Sequence, residues 1–379
     1  MSVQIPISER ILEQVSGPSH LPPFMLAGIL MALSVAACGD DGGSVDSNDT
    51  TASGGGSSTT ETSSDGIKPA DCDDAFATLE GPYMVDNVTH DTFVADENGL
   101  VVAPMVDPGR FDNVLDFIDY PDVEQLVTID LEGNVTTIYS GEHASFWTLA
   151  VDATTVYART LLLNSDIISV PRSGGDATVL VDNGASAGPV LHEGRLYYGG
   201  ESDEVDHGVF ELDPSGGVPT LLSDRTDLTV NAITADEEYL YWTEYDGPGG
   251  DVDYTVYKMG FADGSVEQMA TLARDSGVDY LLAGGGDLYV TGIGDLSATS
   301  LSLRRIVPGA EPAVVADIGP VAFSEDSAYY GDSSEIVKTP FDFSVSEKIS
   351  GIWSYVTALT VGPQHLWYAD RGCIYRTSK

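Results

Sequence analysis

Leu149-Ala-Val-Asp152-Ala-Thr-Thr-Val156-Tyr157 reads as a short alternating strand, a polar turn opened by Asp152, and a second strand opened by an apolar–aromatic pair. Alternation with β-branched and aromatic residues predicts a strand hairpin. The phrase occurs seven times, with pairs at Leu100-Val101, Val156-Tyr157, Leu196-Tyr197, Leu240-Tyr241, Leu288-Tyr289, Ala328-Tyr329 and Leu366-Trp367. Successive second members are 56, 40, 44, 48, 40 and 38 residues apart. A period near about 40 residues, carried by strand-like units, predicts a β-propeller in which each copy makes one four-stranded blade. The chain is therefore expected to be all-β, with seven blades. The long first interval places the largest insertion in blade 1.

Around each pair, strands A to D follow in order, the pair marking strand B. Strand C ends in turn signals, as in Val170-Pro171-Arg-Ser-Gly174-Gly175 and Leu212-Asp-Pro214-Ser-Gly216-Gly217, where Gly supplies the positive φ of a tight hairpin. Strand D follows, as in Thr178-Val-Leu-Val181. These phrases resemble bacterial propeller repeats of secreted and lipoprotein chains, over roughly residues 80–379. That resemblance implies the fold and leaves the activity open.

The last unit supplies only strands A, B and C before Lys379. An open edge there is an aggregation liability, so an N-terminal strand is expected to close the seventh blade. Tyr83-Met-Val-Asp-Asn87 matches Val179-Leu-Val-Asp-Asn183, a strand D, and points to Tyr83–Val85 as the donor. Of the three cysteines, Cys72 and Cys373 fall on the two sides of this seam. Two readings stand: a bridge closing a very long loop, or two buried thiols.

Leu21–Ala37 is an apolar run closed by small residues, as in a secretory signal. Its ending, Val35-Ala36-Ala37-Cys38, is similar to the lipobox of bacterial lipoproteins. The resemblance implies cleavage before Cys38 and lipid attachment to its sulfur, several acyl chains making a stable anchor. The alternative is an uncleaved anchor. Residues 39–66 contain no aromatic, Leu, Ile or Met and read as a flexible spacer. The expected organisation is a signal over 1–37, a lipidated Cys38 with linker over 38–70, and a propeller over 71–379, outside the cytoplasm.

Formal net charge is −44, from 60 acidic and 16 basic residues. Only Glu9, Arg10 and Glu13 precede Cys38, so almost all of it belongs to the exported part. Such a body repels nucleic acid and anionic membrane surfaces, leaving the lipid as the membrane contact. The acidity serves either solubility in salty surroundings or the capture of a cationic partner.

Signatures of catalysis are weak. Gly184-Ala-Ser186-Ala-Gly188 has the G-x-S-x-G order but joins two strands instead of a strand and a helix, so it reads as a connection between blades. His90, His143, His192, His207 and His365 are scattered without metal-ligand spacing. No cofactor is expected. Asp251 and Asp253 are a fragment of a calcium-loop pattern, set against a plain solvated acidic rim.

One constellation stands out. Connections B–C and D–A share one end of a propeller, and here the B–C loops are acidic with interleaved aromatics. The first, about Asp107 to Gln125, brings Asp112, Asp116, Phe117, Asp119 and Tyr120. Asp203 and Asp206 follow, with Glu201 and His207, and then Asp246 with Glu244. Trp147 and Trp353 enter strand A in their blades, either to line this end or to pack between blades. The residues support a monomeric, non-enzymatic binding or scaffolding module for a cationic or amphipathic protein or glycan. The alternative is a polymer-acting enzyme, a carbohydrate lyase or hydrolase, because fold alone does not set function.

Overall fold

The computed structural model describes most of residues 92–379, together with Ala75 and two short strands at 77–78 and 83–84. Residues 1–74 and the main connections at 107–123, 142–145, 161–164, 203–204, 225–227, 246–252, 274–277, 293–300 and 352–355 lie outside this description.

Two short strands come first, β1 (Ala77–Thr78) and β2 (Tyr83–Met84). Blade 1 is β3 (Phe93–Asp96), β4 (Gly99–Val102), β6 (Glu124–Ile129) and β7 (Val135–Gly141), with β5 (Met105–Val106) between its second and third strands. Blade 2 is β8 (Phe146–Val151), β9 (Thr155–Thr160), β10 (Ile167–Pro171) and β11 (Thr178–Val181). Blade 3 is β12 (Ala185–His192), β13 (Arg195–Ser202), β14 (Val205–Leu212) and β15 (Thr220–Asp224). Blade 4 is β16 (Thr229–Ala235), β17 (Tyr239–Tyr245), β18 (Tyr254–Gly260) and β19 (Val266–Leu272). Blade 5 is β20 (Tyr280–Gly284), β21 (Asp287–Gly292), β22 (Leu301–Ile306) and β23 (Ala313–Ile318). Blade 6 is β24 (Val321–Phe323), β25 (Ala328–Asp332), β26 (Glu335–Thr339) and β27 (Glu347–Gly351). Blade 7 is β28 (Ala358–Val361), β29 (His365–Asp370) and β30 (Cys373–Ser378), completed by β1.

Each first strand touches the first strand of the next blade, round to β28 against β3, so the ring closes. The fold is a seven-bladed β-propeller, without an α-helix among the described residues.

All seven pairs, six of them apolar–aromatic and Leu100-Val101 wholly aliphatic, sit in the second strand of their blade, and all are buried. Because neighbouring residues of a strand point to opposite faces, the pair serves two seams at once. Val156 packs with Val101 and Leu126 of the preceding blade, while Tyr157 packs with Leu196 and Tyr198 of the following one. Leu196 and Tyr197 divide in the same way, as do Leu240 and Tyr241. At the closing seam, Trp367, Ala369 and Ile374 meet Phe93, Leu100 and Val102. Each such side chain contributes about 1.5–3 kcal/mol by leaving water.

The closing strand differs from the expected one. β1 pairs antiparallel with β30, setting Ala77 opposite Ile374 and Thr78 opposite Cys373. Tyr83–Met84 instead pairs with Met105–Val106. The physical reason is reach. Residues 83–84 follow the latch and already belong to the crossing towards blade 1, where β5 offers a free edge. The likeness of Tyr83–Asn87 to a strand D was one of composition, which does not fix register.

Candidate binding faces

Antiparallel strands in sequence put all A–B and C–D turns at one end of the ring and all B–C and D–A connections at the other. These are called here the turn end and the loop end.

At the loop end, Asp112, Asp116, Phe117, Asp119, Tyr120, Asp203, Asp246, Asp251 and Trp353 lie outside the described residues, as do Cys38 and Cys72. Asp206 falls within β14. Asp253 is exposed just before β18. Among the described residues no three His, Cys, Asp or Glu side chains gather as metal ligands. The β2–β5 ribbon is the extra element at this end, standing where the long blade 1 insertion leaves β5.

Trp147 is half-buried in β8, and the guanidinium of Arg159 lies 5.8 Å from its ring centroid. Arg159 is itself buried and donates from Nη1 to the Ser186 carbonyl at 2.6 Å. The stretch expected to connect two blades instead opens the first strand of blade 3: Ser186 lies within β12, and its hydroxyl donates to the Val230 carbonyl at 2.8 Å. It belongs to a row of stitches around the channel. Thr148 donates to the Gly188 carbonyl, and Asn231 Nδ2 to the Val278 carbonyl at 2.7 Å. Each links one innermost strand to the next blade.

Two acidic residues expected together at the loop end are separated by burial. Glu201 is 60% exposed, 3.5 Å from His207 Nδ1. Glu244 is fully buried in β17 and accepts the Trp242 indole N–H at 2.6 Å. The i, i+2 spacing of Trp242 and Glu244 puts both on one face of the strand, towards the blade 3 seam. That spacing is the signal a loop assignment overlooks.

The turn end is built from a repeated device that the sequence alone did not reveal. Asp152 Oδ1 accepts the Thr154 and Thr155 amides at 2.7 and 2.8 Å, and Oδ2 accepts the Tyr157 hydroxyl at 2.8 Å. Asp236 repeats it with Glu238, Tyr239 and the Tyr241 hydroxyl, all at 2.8 Å. Burial works to raise the Asp152 carboxyl, but these donors outweigh it and hold the group below its ordinary value. Burial, reinforced by the bond to Asp152, pushes the Tyr157 hydroxyl up to about 12. An Asp–Tyr spacing of i, i+5 is the sequence signal for this lock.

Neighbouring turns also buttress one another. Arg172, after strand C of blade 2, forms an ion pair with Asp96 in the A–B turn of blade 1. At the corresponding position of blade 4, Phe261 stacks on His192 of blade 3, with ring centroids 4.0 Å apart and planes inclined by 4°. In blade 6 the next residue along, Phe341, lies over Gly285 of blade 5; a Cβ at Gly285 would come within 2.4 Å of that ring, and its φ is +62°.

A depression of about 530 Å³ opens at this end, at the channel mouth. It is lined by equivalent triplets from the A–B turns of four consecutive blades: 323–325, 361–363, 95–97 and 151–153, with Lys379 beside them.

No protein-family model matches this chain, and no curated protein matches it. Among solved structures it is similar to BamB from Moraxella catarrhalis, at 14% identity over 75% of this chain and 83% of that one, with a TM-score of 0.44. TolB from Acinetobacter baumannii matches at 14% identity over 68% of this chain and 63% of that one, TM-score 0.41. The extracellular domain of the putative one component system BT4673 from B. thetaiotaomicron matches at 11% identity over 79% of this chain and 39% of that one, TM-score 0.48. These are likenesses of chain path and transfer neither activity nor partner.

Proposed function

We propose that the chain is a lipid-anchored, extracytoplasmic binding or scaffolding module. It takes a cationic or amphipathic protein or glycan at its loop end, with Asp112, Asp116, Phe117, Asp119 and Tyr120 among the contacts. The observation that carries this is the β2–β5 ribbon, an added strand pair at the root of the longest insertion. A two-residue ribbon adds little to a ring already closed by seven seams; its effect is to fix where the insertion starts. The test compares capture by the full chain with capture by a variant lacking residues 107–123, which leaves β6 whole. A partner lost only from the deletion variant supports the reading, and an unchanged partner set rejects it.

Lipidation at Cys38 predicts metabolic labelling with palmitate that Cys38→Ser abolishes; labelling that survives the substitution rejects it. The organisation into signal, linker and propeller predicts a mature chain beginning at Cys38 by mass spectrometry. A Cys72–Cys373 bridge fits the latch, because Thr78 stands opposite Cys373 and the residues between Cys72 and Thr78 are enough for the chain to turn back. Reduction is expected to cost on the order of 4 kcal/mol, and equal melting of reduced and oxidised protein rejects the bridge. Calcium at Asp251 and Asp253 predicts a higher melting temperature in millimolar Ca²⁺; no shift rejects it.

A further inference from the structure

The depression at the turn end is remote from the loop end. Its lining is regular: the residue before the turn, the turn-opening residue and the next residue are Ala95-Asp96-Glu97, Val151-Asp152-Ala153, Phe323-Ser324-Glu325 and Val361-Gly362-Pro363. First positions give an apolar floor that includes Phe323. Second positions are spent on the fold, since Asp152 locks its own turn and Asp96 holds Arg172. Third positions place Glu97 and Glu325 on the rim, both exposed. Lys379, which follows β30, also lines the depression.

We infer that this depression binds a lysine-bearing end of an extended basic peptide, with the aliphatic stem on the apolar floor and the ammonium group at the rim that carries Glu97 and Glu325. A lysine side chain suits a mouth that is apolar below and anionic above, because its stem buries while its head stays near water. The net charge of −44 draws such a partner in. Lys379, which lines the depression, is the natural competitor.

The same third position carries Glu193 and Glu237 in blades 3 and 4, both exposed and away from the depression. They provide a charge-matched control. Tri-lysine titrated calorimetrically into the full chain at low salt is expected to bind about tenfold more weakly to Glu97→Gln/Glu325→Gln. Glu193→Gln/Glu237→Gln should change affinity less than about twofold, and Lys379→Ala should raise it about two- to threefold. Melting temperatures of the variants check that the fold is kept. Equal losses in both double variants would mean diffuse attraction to an acidic surface, and loss only on removing residues 107–123 would move the binding to the loop end. Either result overturns the proposal. Because the loop-end reading is tested by that deletion alone, the two stand or fall separately.

Discussion

At the turn end, Asp152 and Asp236 each offer both oxygens to their own turn and to a seam tyrosine. At the loop end, Glu201 projects largely into solvent with His207 near it. The two ends are written in the same acidic alphabet but use it differently: the turn end spends its aspartates on caps, whereas the loop end mixes buried, bonded carboxylates such as Asp166, which accepts the Asn183 amide at 2.8 Å, and Glu244 with the solvent-facing Glu201. A net charge is therefore a poor guide to function until the carboxylates bound into the fold have been set aside. Part of what looked like a binding potential in composition is turn capping.

The contrast can be tested most strongly by removing a lock. Asp152→Ala or Asp236→Ala strips amides and a part-buried tyrosine hydroxyl of their acceptor, and each is expected to lower stability by about 2–3 kcal/mol in urea unfolding. Tyr241→Phe, which removes only the hydroxyl, should cost about 1 kcal/mol in the same measurement. Losses equal to those of loop-end substitutions would erase the distinction.

A second test uses pH. Asp130 is held below its ordinary value of 3.8 chiefly by Asn134, and Asp213 by Ser215. Asp152, Asp263 and Asp342 are lowered as well. Groups lowered in the folded state contribute stability that is present above the unfolded value and disappears as pH falls through the folded one. Melting temperature should therefore drop as pH falls below about 4, and less steeply in a variant whose turn aspartates are replaced by Asn. The seam tyrosines act at the opposite extreme. Tyr157, Tyr197 and Tyr198, pushed by burial from 10.0 to about 12, contribute fully below pH 10.0, and that contribution is lost as pH rises towards 12.

The smallest effect is expected at the other end. Asp112→Asn, Asp116→Asn and Asp119→Asn together should move stability by less than about 0.5 kcal/mol while weakening capture of a basic partner. A melting shift as large as that of Asp152→Ala would show these loops to be structural as well.

The ring was legible because its cue is periodic: a pair repeated at near-constant spacing has one common explanation, and each pair landed in a second strand. The latch was legible in kind but not in place. Ala77 and Thr78 are small, carry no alternation, and are recognisable only from the edge they cover. Glu244 was hidden because a carboxylate beside a loop is ordinarily exposed, and burial depends on which face of β17 it shares with Trp242. The depression was invisible for a related reason. Its four triplets are similar in sequence to those of the other blades, and only the ring brings residues from 95 and 363 to one mouth.

The two-faced pair in each second strand has a consequence for how the molecule comes apart. Every blade owns half of two interfaces and the whole of none, so melting one blade exposes apolar surface on both of its neighbours. Partial unfolding then has no inexpensive stopping point around the circle. Heat denaturation should proceed as one cooperative event, its calorimetric enthalpy matching the van 't Hoff value, with the ring behaving as a single unit and not as seven.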